Sequence, residues 1–319
     1  LGVVAAILPF NFPVELFIEK AAAALVAGNA VVCKAPPEDP LVVARFHAAM
    51  LGAGVPSEVL ALVHGDRDTG AALAQADGID TISLTGSTAA GIAVAKAAAP
   101  TLRRLHLELG GNNAAIVLKD ADLELAATEL SYGRLLMNGQ ACSASKRIIV
   151  ARELHDQLSE RLAATCAGRR VGPATDAETT LGPLITPVAA ERVAGQIRHA
   201  IDQGATLSAG DAQADGAYVA PTLLTDVPAS ADIAADDEVF GPVFTLIPVD
   251  GMAEAIAVAN GSSFGLMGSV FTADLGRAVH VAERLRTGGV VINGTDNYRP
   301  PNIPFGGVGL SGGGREGLG

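Results

Sequence analysis

The sequence predicts an α/β protein of about two domains, each built around a mostly parallel β-sheet. The length of 319 residues corresponds to about two domains at roughly 150 residues each. Hydrophobic residues make up 49% of the chain and charged residues only 18%, so a large core can be buried. Short apolar runs alternate with helix-like segments, which is typical of parallel strands covered on both faces.

The first 110 residues show this alternation most clearly. The apolar run at 1–8 predicts a buried strand, and the helix that follows from Val14 to Ala27 is opened by Pro13 and closed by Gly28. The next segments are predicted as strand 30–35, helix 40–54, strand 59–65, helix 71–74 and strand 80–86, and the segment LRRLHLELGG at 102–111 closes this half.

Longer spacings separate the segments of the second half. Helices are predicted at 120–139, 156–168, 188–203 and 278–286, strand-like runs at 146–154 and 244–250, and a surface loop rich in Gly, Ala and Asp at 209–217. The last of these helices leads into GGVVING at 288–294. We expect a first domain at 1–110, a second at 111–312, and the start of a C-terminal segment at 313–319.

Charge and cysteine content exclude several classes of protein. The net charge of −12 argues against a nucleic-acid-binding surface, which requires a basic face. Cys33, Cys142 and Cys166 are odd in number and far apart, so they predict neither a disulfide framework nor a metal site, and they favour a reducing compartment. The longest apolar run, 21–33, is shorter than the roughly 20 residues of a membrane-spanning helix.

The stretch NGQACSASKR at 138–147 contains the first candidate for chemistry. Cys142 follows a Gly-Gln turn at the end of a helical run, with Lys146 and Arg147 just beyond it. A buried structural thiol is one interpretation, and a nucleophile activated as the thiolate is the other. The stretch alone leaves both open.

Two further stretches place polar side chains where strands end. In ILPFNFP (7–13), Asn11 lies in a proline-bracketed turn, where its amide can either stabilise the turn or donate to a developing oxyanion. In LHLELGGNN (105–113), Glu108 lies between apolar neighbours. Its carboxylate is either paired, for example with Arg103 or Arg104, or has a raised pKa suited to a general base.

Taken together, a series of motifs resembles the aldehyde dehydrogenase superfamily from the first residue to the last. The motifs occur in the order ILPFNFP, VVCKAPPEDP, SLTGST, LELGGNN, NGQACSASKR, DEVFGPV and PFGGVGLSGGGREG. The resemblance implies a Rossmann-like domain at 1–110 that binds NAD or NADP, and an α/β catalytic domain after it.

The resemblance also implies the catalytic roles. Cys142 would attack an aldehyde carbonyl to form a thiohemiacetal, with the amide of Asn11 and the backbone N–H of Cys142 as the oxyanion hole. After hydride transfer to the nicotinamide, Glu108 would activate the water that hydrolyses the thioester to a carboxylic acid.

The cofactor contacts follow residue by residue from the same motifs. They would bind the adenosine ribose, the pyrophosphate at a helix N-terminus, the nicotinamide ribose and the adenine side. Lys34 would bind the adenosine ribose, and Gly86 and Ser87 the pyrophosphate. Glu238 and Phe240 would bind the nicotinamide ribose, and the loop bracketed by Gly65 and Gly70 would lie near the adenine.

One departure from the family pattern concerns the choice of cofactor. Many NAD-preferring members have a glutamate three residues after the lysine, where this chain has Pro37 followed by Glu38. A carboxylate at that point would repel a 2′-phosphate, so its absence predicts that NADP is accepted at least as well as NAD.

The aldehyde is predicted from the segment 293–307. Tyr298 and Arg299 lie where relatives line the substrate entrance, and a guanidinium there suits a carboxylate or phosphate group. The resulting hypothesis is a small anionic aldehyde, such as a semialdehyde or a lactaldehyde-like compound. A solvated loop arginine is the alternative.

The resemblance predicts that the chain lacks an N-terminal part and the extreme C-terminus of the family. The full-length form is expected to be a cytoplasmic homodimer or homotetramer without nucleic-acid or membrane partners. A CoA-acylating relative is an alternative, although such enzymes usually lack the glutamate base. An inactive truncated module for cofactor binding or interaction is the other.

Overall fold

The computed structural model describes residues 2–300 and 302–317. Two compact units form: the first joins Leu1–Gly110 to Pro300–Gly319, and the second is Gly111–Arg299. The sequence predicted that residues up to 312 belong to the second domain, whereas in the structure the stretch from Pro300 belongs to the first unit. The physical reason is strand pairing, because Gly312–Gly313 pairs antiparallel with Arg104–Glu108.

Strands and helices alternate along both units. In chain order they are β1 Val3–Ile7, α1 Pro13–Val26, β2 Ala30–Lys34, α2 Pro40–Gly52, β3 Leu60–Val63, α3 Arg67–Gln75, β4 Thr81–Thr85, α4 Thr88–Ala98, β5 Arg104–Glu108, β6 Ala114–Val117, α5 Leu123–Leu135, β7 Arg147–Ala151, α6 His155–Ala167, α7 Pro187–Asp202, β8 Thr206–Ala209, β9 Ala214–Asp215, β10 Tyr218–Val219, β11 Thr222–Thr225, β12 Val243–Val249, α8 Met252–Ala259, β13 Phe264–Gly265, β14 Met267–Phe271, α9 Leu275–Ala282, β15 Gly289–Ile292, β16 Val308–Gly309 and β17 Gly312–Gly313.

The first unit is built on a six-stranded sheet with the order β17-β5-β4-β1-β2-β3. Strands β1 to β5 are parallel, and β17 covers the outer edge of β5 in the antiparallel sense. Apolar clusters pack on both faces, one around Phe17 and Val31 and the other around Ile82 and Val94. The parallel strands end at one edge, which therefore presents the residues that follow β1, β2 and β4 and the last residue of β5, Glu108.

The second unit is built on a seven-stranded sheet with the order β15-β14-β6-β7-β12-β11-β8. All neighbours are parallel except β8, which pairs antiparallel with β11. Successive side chains of a strand point to opposite faces, so Ile148 and Ile149 of β7 join different apolar clusters. The predicted α/β class with parallel sheets is confirmed.

Several elements differ from the sequence-based expectation. The predicted helix at 120–139 ends at Leu135, because Met137 and Asn138 adopt left-handed φ angles of 52° and 57°. In the second unit, strands β6, β8, β11 and β14 and helix α8 were not predicted, and the two-residue strand β9 lies within the loop predicted at 209–217. They are short, and β14 has the sequence MGSVF, in which Gly and Ser interrupt the apolar run. Across the described ranges, no helix has the length and hydrophobicity needed to span a membrane.

Candidate active site

Cys142 lies in a tight loop between α5 and β7 in the second unit. The chain leaves α5 through three consecutive residues with positive φ, Met137, Asn138 and Gly139. Gly139 is required there, since a Cβ at that position would overlap the backbone carbonyl of Gly241. The loop leaves the Cys142 side chain partly exposed, in contrast to the buried Cys33 and Cys166.

Asn113 anchors this loop from the start of β6. Its side chain is buried, and its Nδ2 donates to the carbonyl oxygens of Cys142 at 2.8 Å and Ala144 at 3.1 Å. Its Oδ1 accepts from the backbone N–H of Met267 at 3.1 Å. One amide therefore ties the cysteine loop to β6 and β14, which are neighbouring strands of the sheet.

Lys146 anchors the same loop from its other end. The side chain is 1% exposed, and Nζ donates to the carbonyl oxygens of Gly111 at 2.6 Å, Ala141 at 3.0 Å and Cys142 at 2.9 Å. It also forms an ion pair of 3.0 Å with Oε1 of Glu238. Burial lowers the pKa of Lys146, while the Glu238 carboxylate raises it.

Arg134, on α5, joins the loop to the segment that contains Glu238 and Phe240. Its guanidinium is fully buried and donates to the carbonyl oxygens of Gly139 and Val239, each at 3.0 Å, and to that of Gly241. Burial lowers the pKa of Arg134 to about 9, and the Glu238 carboxylate opposes this shift. Glu238 thus balances two buried cations.

Glu238 and Phe240, the predicted cofactor residues of this unit, lie beside the cysteine loop. Oε1 of Glu238 accepts from the backbone N–H of Gly111 at 3.1 Å in addition to its ion pair with Lys146. The ammonium of Lys146 lies 5.7 Å from the centre of the Phe240 ring, within the range of a cation–π contact. The structure therefore brings Cys142, Glu238 and Phe240 together around one lysine.

The segment 293–299 approaches the same loop. Oγ of Ser143 donates to Oδ1 of Asn297 at 2.6 Å, and Nδ2 of Asn297 donates to the carbonyl of Gly133 at 2.8 Å. Tyr298 is exposed and Arg299 is half-buried, as the next two residues along the chain. The predicted substrate residues are thus close in sequence to a side chain that contacts the residue after Cys142.

Asp296 is the acid of the segment 293–299. Its carboxyl is fully buried beside the hydroxyls of Ser145 and Ser269, although neither hydroxyl makes a well-aligned hydrogen bond to it among the described residues. Burial raises the pKa of Asp296 to about 7, opposed by these hydroxyls and by Lys146 and Arg147. A carboxyl in such a place titrates near neutrality.

Glu108 ends β5 in the first unit and is 2% exposed. It pairs in register with Thr85 of β4 on one side and with Gly312 of β17 on the other. Gly306 lies against its carboxylate, since a Cβ there would be 2.6 Å from Oε1 of Glu108. Arg103, one of the predicted salt-bridge partners, donates instead to the carbonyl of Ala74 at 2.9 Å.

Asn11 is buried in the turn between β1 and α1, and its side chain is 5% exposed. Gly86 follows β4 and donates its backbone N–H to the carbonyl of Glu108 at 3.0 Å. Ser87 caps α4, where its Oγ accepts from the N–H of Ala90 at 3.2 Å. The hydroxyl of Ser87 can still donate to an anion at this helix N-terminus.

A cavity of about 610 Å³ opens between α3 and α4, next to the ends of β1, β2 and β4. Lys34, Gly70 and Ser87 all line it. Small side chains line most of the remaining wall: Ala71, Ala74, Ala89, Ala90, Ala93 and Ala97. A cavity of this size, lined by small apolar side chains and a few polar groups, has the chemistry to take an adenine ring and its ribose, so these residues fit a nicotinamide cofactor.

Two features refine the cofactor residues predicted from the sequence. A Cβ at Gly70 would be 3.6 Å from Cδ of Lys34, so Gly70 packs against the lysine stem. Gly65 borders a neighbouring hollow lined by Pro37 and Leu41 rather than this cavity. Burial lowers the pKa of Lys34, and the nearby Glu38 and Asp66 carboxylates raise it.

The other two thiols lie in apolar surroundings. Burial raises the pKa of Cys33 to about 12 and that of Cys166 to about 11. A thiol with such a pKa is almost entirely protonated at neutral pH, so neither is a nucleophile. Cys142 is the partly exposed thiol.

Sequence reasoning missed Asn113, Arg134 and Asp296 as parts of this site. Asn113 belongs to the LELGGNN motif, but nothing in the motif shows that its amide reaches the cysteine loop. Arg134 lies in an amphipathic helix, where an arginine is ordinarily solvated. Lys146 was noticed as a charge near Cys142, and its position directly before a fully buried strand was the signal that it is buried.

The sequence matches a model described as "Aldehyde dehydrogenase family" over residues 1–319. It is 40% identical over 321 residues to the betaine aldehyde dehydrogenase of Rhizobium johnstonii, and 41% identical over 323 residues to the geranial dehydrogenase of Castellaniella defragrans. Both alignments cover 99% of this chain and 66% of the relative. The chain thus spans about two thirds of the length of these relatives.

A similar fold is found in solved structures. The aldehyde dehydrogenase of Mycobacterium tuberculosis complexed with NAD+ superposes with a TM-score of 0.95 at 37% identity. That superposition covers 99% of this chain and 66% of the other.

Proposed function

The chain belongs to the aldehyde dehydrogenase family, and on that premise we propose that it oxidises an aldehyde to a carboxylic acid with NAD or NADP. The observation that supports the proposal best is the cysteine loop itself. Its partly exposed thiol lies on a backbone anchored by Asn113 at one side and by Lys146 at the other. Such a rigid backbone suits a nucleophile that must keep its orientation.

Covalent catalysis begins at Cys142. The thiolate sulfur adds to the carbonyl carbon of the aldehyde, and the carbonyl π electrons move to oxygen to give a thiohemiacetal anion. The amide of Asn11 and the backbone N–H of Cys142 would donate to this oxygen. Asn113 and Lys146 already occupy the carbonyl of Cys142, so the orientation of its peptide groups is restrained.

By the family resemblance, Lys34, Gly70 and Ser87 would bind the adenosine and pyrophosphate part of the cofactor, and Glu238 and Phe240 would bind its nicotinamide ribose. When bound, the nicotinamide accepts the hydride that the thiohemiacetal loses as it becomes a thioester. The apolar wall of the cavity between α3 and α4 would exclude water from the adenine ring, and Lys34 would donate to ribose oxygens.

Glu108 would complete the reaction as a general base. Its carboxylate would take a proton from water while the water oxygen adds to the thioester carbonyl, and the Cys142 thiolate then leaves. Burial of the side chain at 2% exposure supports this role, because a desolvated carboxylate is a stronger base than a solvated one. A CoA-acylating reaction is less favoured, since it has no use for this base.

The central test follows formation of reduced nicotinamide by absorbance, with a panel of aldehydes and with NAD and NADP separately. Cys142→Ala is expected to abolish turnover, whereas Cys166→Ala, a buried thiol on α6, is expected to retain it. Acid formation without CoA supports the proposal. Cofactor binding without turnover in the unmutated protein would instead support an inactive binding module.

We propose that NADP is accepted at least as well as NAD. Pro37 lines the cavity beside Lys34, where many NAD-preferring members have a glutamate, and Arg67 lines the same wall. The charges of Lys34 and Arg67 would favour binding of a 2′-phosphate, whereas those of Glu38 and Asp66 would oppose it. Comparing kcat/KM for the two cofactors tests this, and a hundredfold preference for NAD would exclude it.

For the substrate we propose a small anionic aldehyde recognised by Arg299, with Tyr298 beside it. The supporting observation is that Arg299 follows the segment in which Asn297 bonds to Ser143, the neighbour of Cys142. The relatives named above act on betaine aldehyde and geranial, neither of which is anionic, so an anionic and a neutral aldehyde have to be compared directly. Arg299→Ala should raise KM for succinate semialdehyde and leave that for a neutral aldehyde of similar length unchanged. If the unmutated protein and Arg299→Ala had equal KM values for succinate semialdehyde, the proposal would be refuted.

A further inference from the structure

Lys146 is surrounded by more acceptors than it has donors. Its Nζ lies within 3.0 Å of three backbone carbonyl oxygens, of Gly111, Ala141 and Cys142, and of one carboxylate oxygen, Oε1 of Glu238. An ammonium group has three N–H donors, and a neutral amine has two. Four acceptors therefore favour the charged form despite burial, and the three carbonyls alone can satisfy its donors.

The charge on Lys146 acts on Cys142. Burial lowers the pKa of Lys146, Glu238 raises it, and a thiolate at Cys142 also raises it. Because a Coulomb interaction is mutual, the ammonium favours the thiolate form of Cys142 to the same extent. Arg134 and Asp296 are the other charged groups that act on Lys146.

Glu238 offsets this charge from a position that a ligand can reach. Its side chain is 19% exposed, whereas that of Lys146 is 1% exposed. Its contacts with Lys146 and with the N–H of Gly111 both fall on Oε1. Within the described part of the chain Oε2 has no such contact, so it is available to hydroxyl groups of a ligand.

We propose that Lys146 is a positioning residue through which a ligand bound to Glu238 sets the reactivity of the Cys142 thiol; the inference rests on the proposed function, in which that ligand is the nicotinamide ribose. Hydroxyl donors on Glu238 take up part of the negative charge that otherwise neutralises Lys146. The ammonium stays in place on its three carbonyls, and its field on Cys142 increases. The nucleophile is therefore most reactive after the cofactor has arrived.

The test measures thiol reactivity rather than turnover. The protein is alkylated with iodoacetamide across a pH series, with and without saturating NAD or NADP, and modification of the Cys142 peptide is followed by mass spectrometry. Cys33 and Cys166 in the same samples serve as unreactive internal controls. In the unmutated protein the cofactor is expected to lower the pH at which Cys142 reaches half of its maximal alkylation rate by about one unit. Below that pH, alkylation should be roughly tenfold faster.

Three variants separate coupling from simple structural support. Lys146→Met keeps the length of the side chain without its charge, and its Cys142 should show less than about a twofold response to cofactor. Lys146→Arg keeps the charge and should retain the response. Glu238→Gln removes the offsetting charge, so without cofactor its Cys142 should already react about as fast as that of the cofactor-saturated unmutated protein.

The outcomes distinguish this inference from the proposed function. A full cofactor response in Lys146→Met, or no acceleration in Glu238→Gln, would overturn the inference. If Lys146→Met does not fold, the Glu238→Gln and Lys146→Arg results still decide it. Absence of cofactor binding in equilibrium dialysis would refute the proposed function, while Glu238→Gln measured without cofactor would still test the charge relay between Glu238, Lys146 and Cys142.

Discussion

Replacing Asn113 by alanine is expected to loosen the loop that contains Cys142. The side chain is 2% exposed and makes three hydrogen bonds: from Nδ2 to the carbonyls of Cys142 and Ala144, and from the N–H of Met267 to Oδ1. Alanine removes all three without adding a polar group that could replace them.

The magnitude follows from which partners lose their bond. The carbonyl of Cys142 keeps its bond from Lys146, so the buried groups left without a partner are the carbonyl of Ala144 and the N–H of Met267. Each such group costs about 1–3 kcal/mol, so after local relaxation we expect about 2–4 kcal/mol for the pair. That corresponds to roughly 30- to 700-fold faster local opening, at tenfold per 1.4 kcal/mol.

Amide hydrogen exchange, read out on peptides covering 138–150 and 264–271, measures this opening. Asn112→Ala is the matched control, because Asn112 has the same burial and donates to two carbonyls, of Ile233 and Ala235, away from the cysteine loop. We expect both variants to lose stability, and only Asn113→Ala to change exchange at 138–150 and the alkylation rate of Cys142. Exchange at 138–150 within about threefold of the unmutated protein, or an equal effect of both variants, would refute the anchoring role of Asn113.

Three further predictions follow from the same geometry. Gly306→Ala would put a Cβ 2.6 Å from Oε1 of Glu108, so steady-state turnover should fall by roughly tenfold or more while the first-turnover burst of reduced cofactor persists. Gly313→Ala has open space around its Cβ and should leave both the burst and the steady-state turnover unchanged. Gly139→Ala combines a φ of +79° with overlap of a backbone carbonyl, so we expect about 3 kcal/mol or more of destabilisation in urea unfolding, and a loss below about 1 kcal/mol would contradict the overlap. The pKa of Asp296 is raised to about 7, so the native state keeps a proton that the unfolded state has lost between about pH 4 and 7, and stability falls as pH rises through that window. Asp296→Asn should therefore gain about 1.4 kcal/mol relative to the unmutated protein for each unit from pH 5 to 7, and a pH-independent difference would exclude the shift.

Local patterns in the sequence were enough for the parallel strands of the first sheet, but not for β17, which pairs with β5 from about 200 residues further along the chain. β1, β2 and β4 are apolar runs with turn or helix signals at their ends, and α1 begins at Pro13, one residue before the predicted Val14. The second sheet was predicted less completely, because β6 and β14 are short and owe their conformation to strands far away in the chain. Ala114–Val117 pairs with β14 and β7, whose residues lie well outside any local window.

The sequence by itself determined the fold class, the family motifs and the candidate nucleophile, because each depends on residue type and order along a short stretch. The tertiary structure decided which buried charges act on that nucleophile. Asn113, Arg134 and Lys146 reach the cysteine loop or its neighbour only once β6, α5 and the segment around Glu238 have packed together. Hydrogen bonds and ion pairs act over a few ångströms in space, and separation along the chain carries no information about that distance.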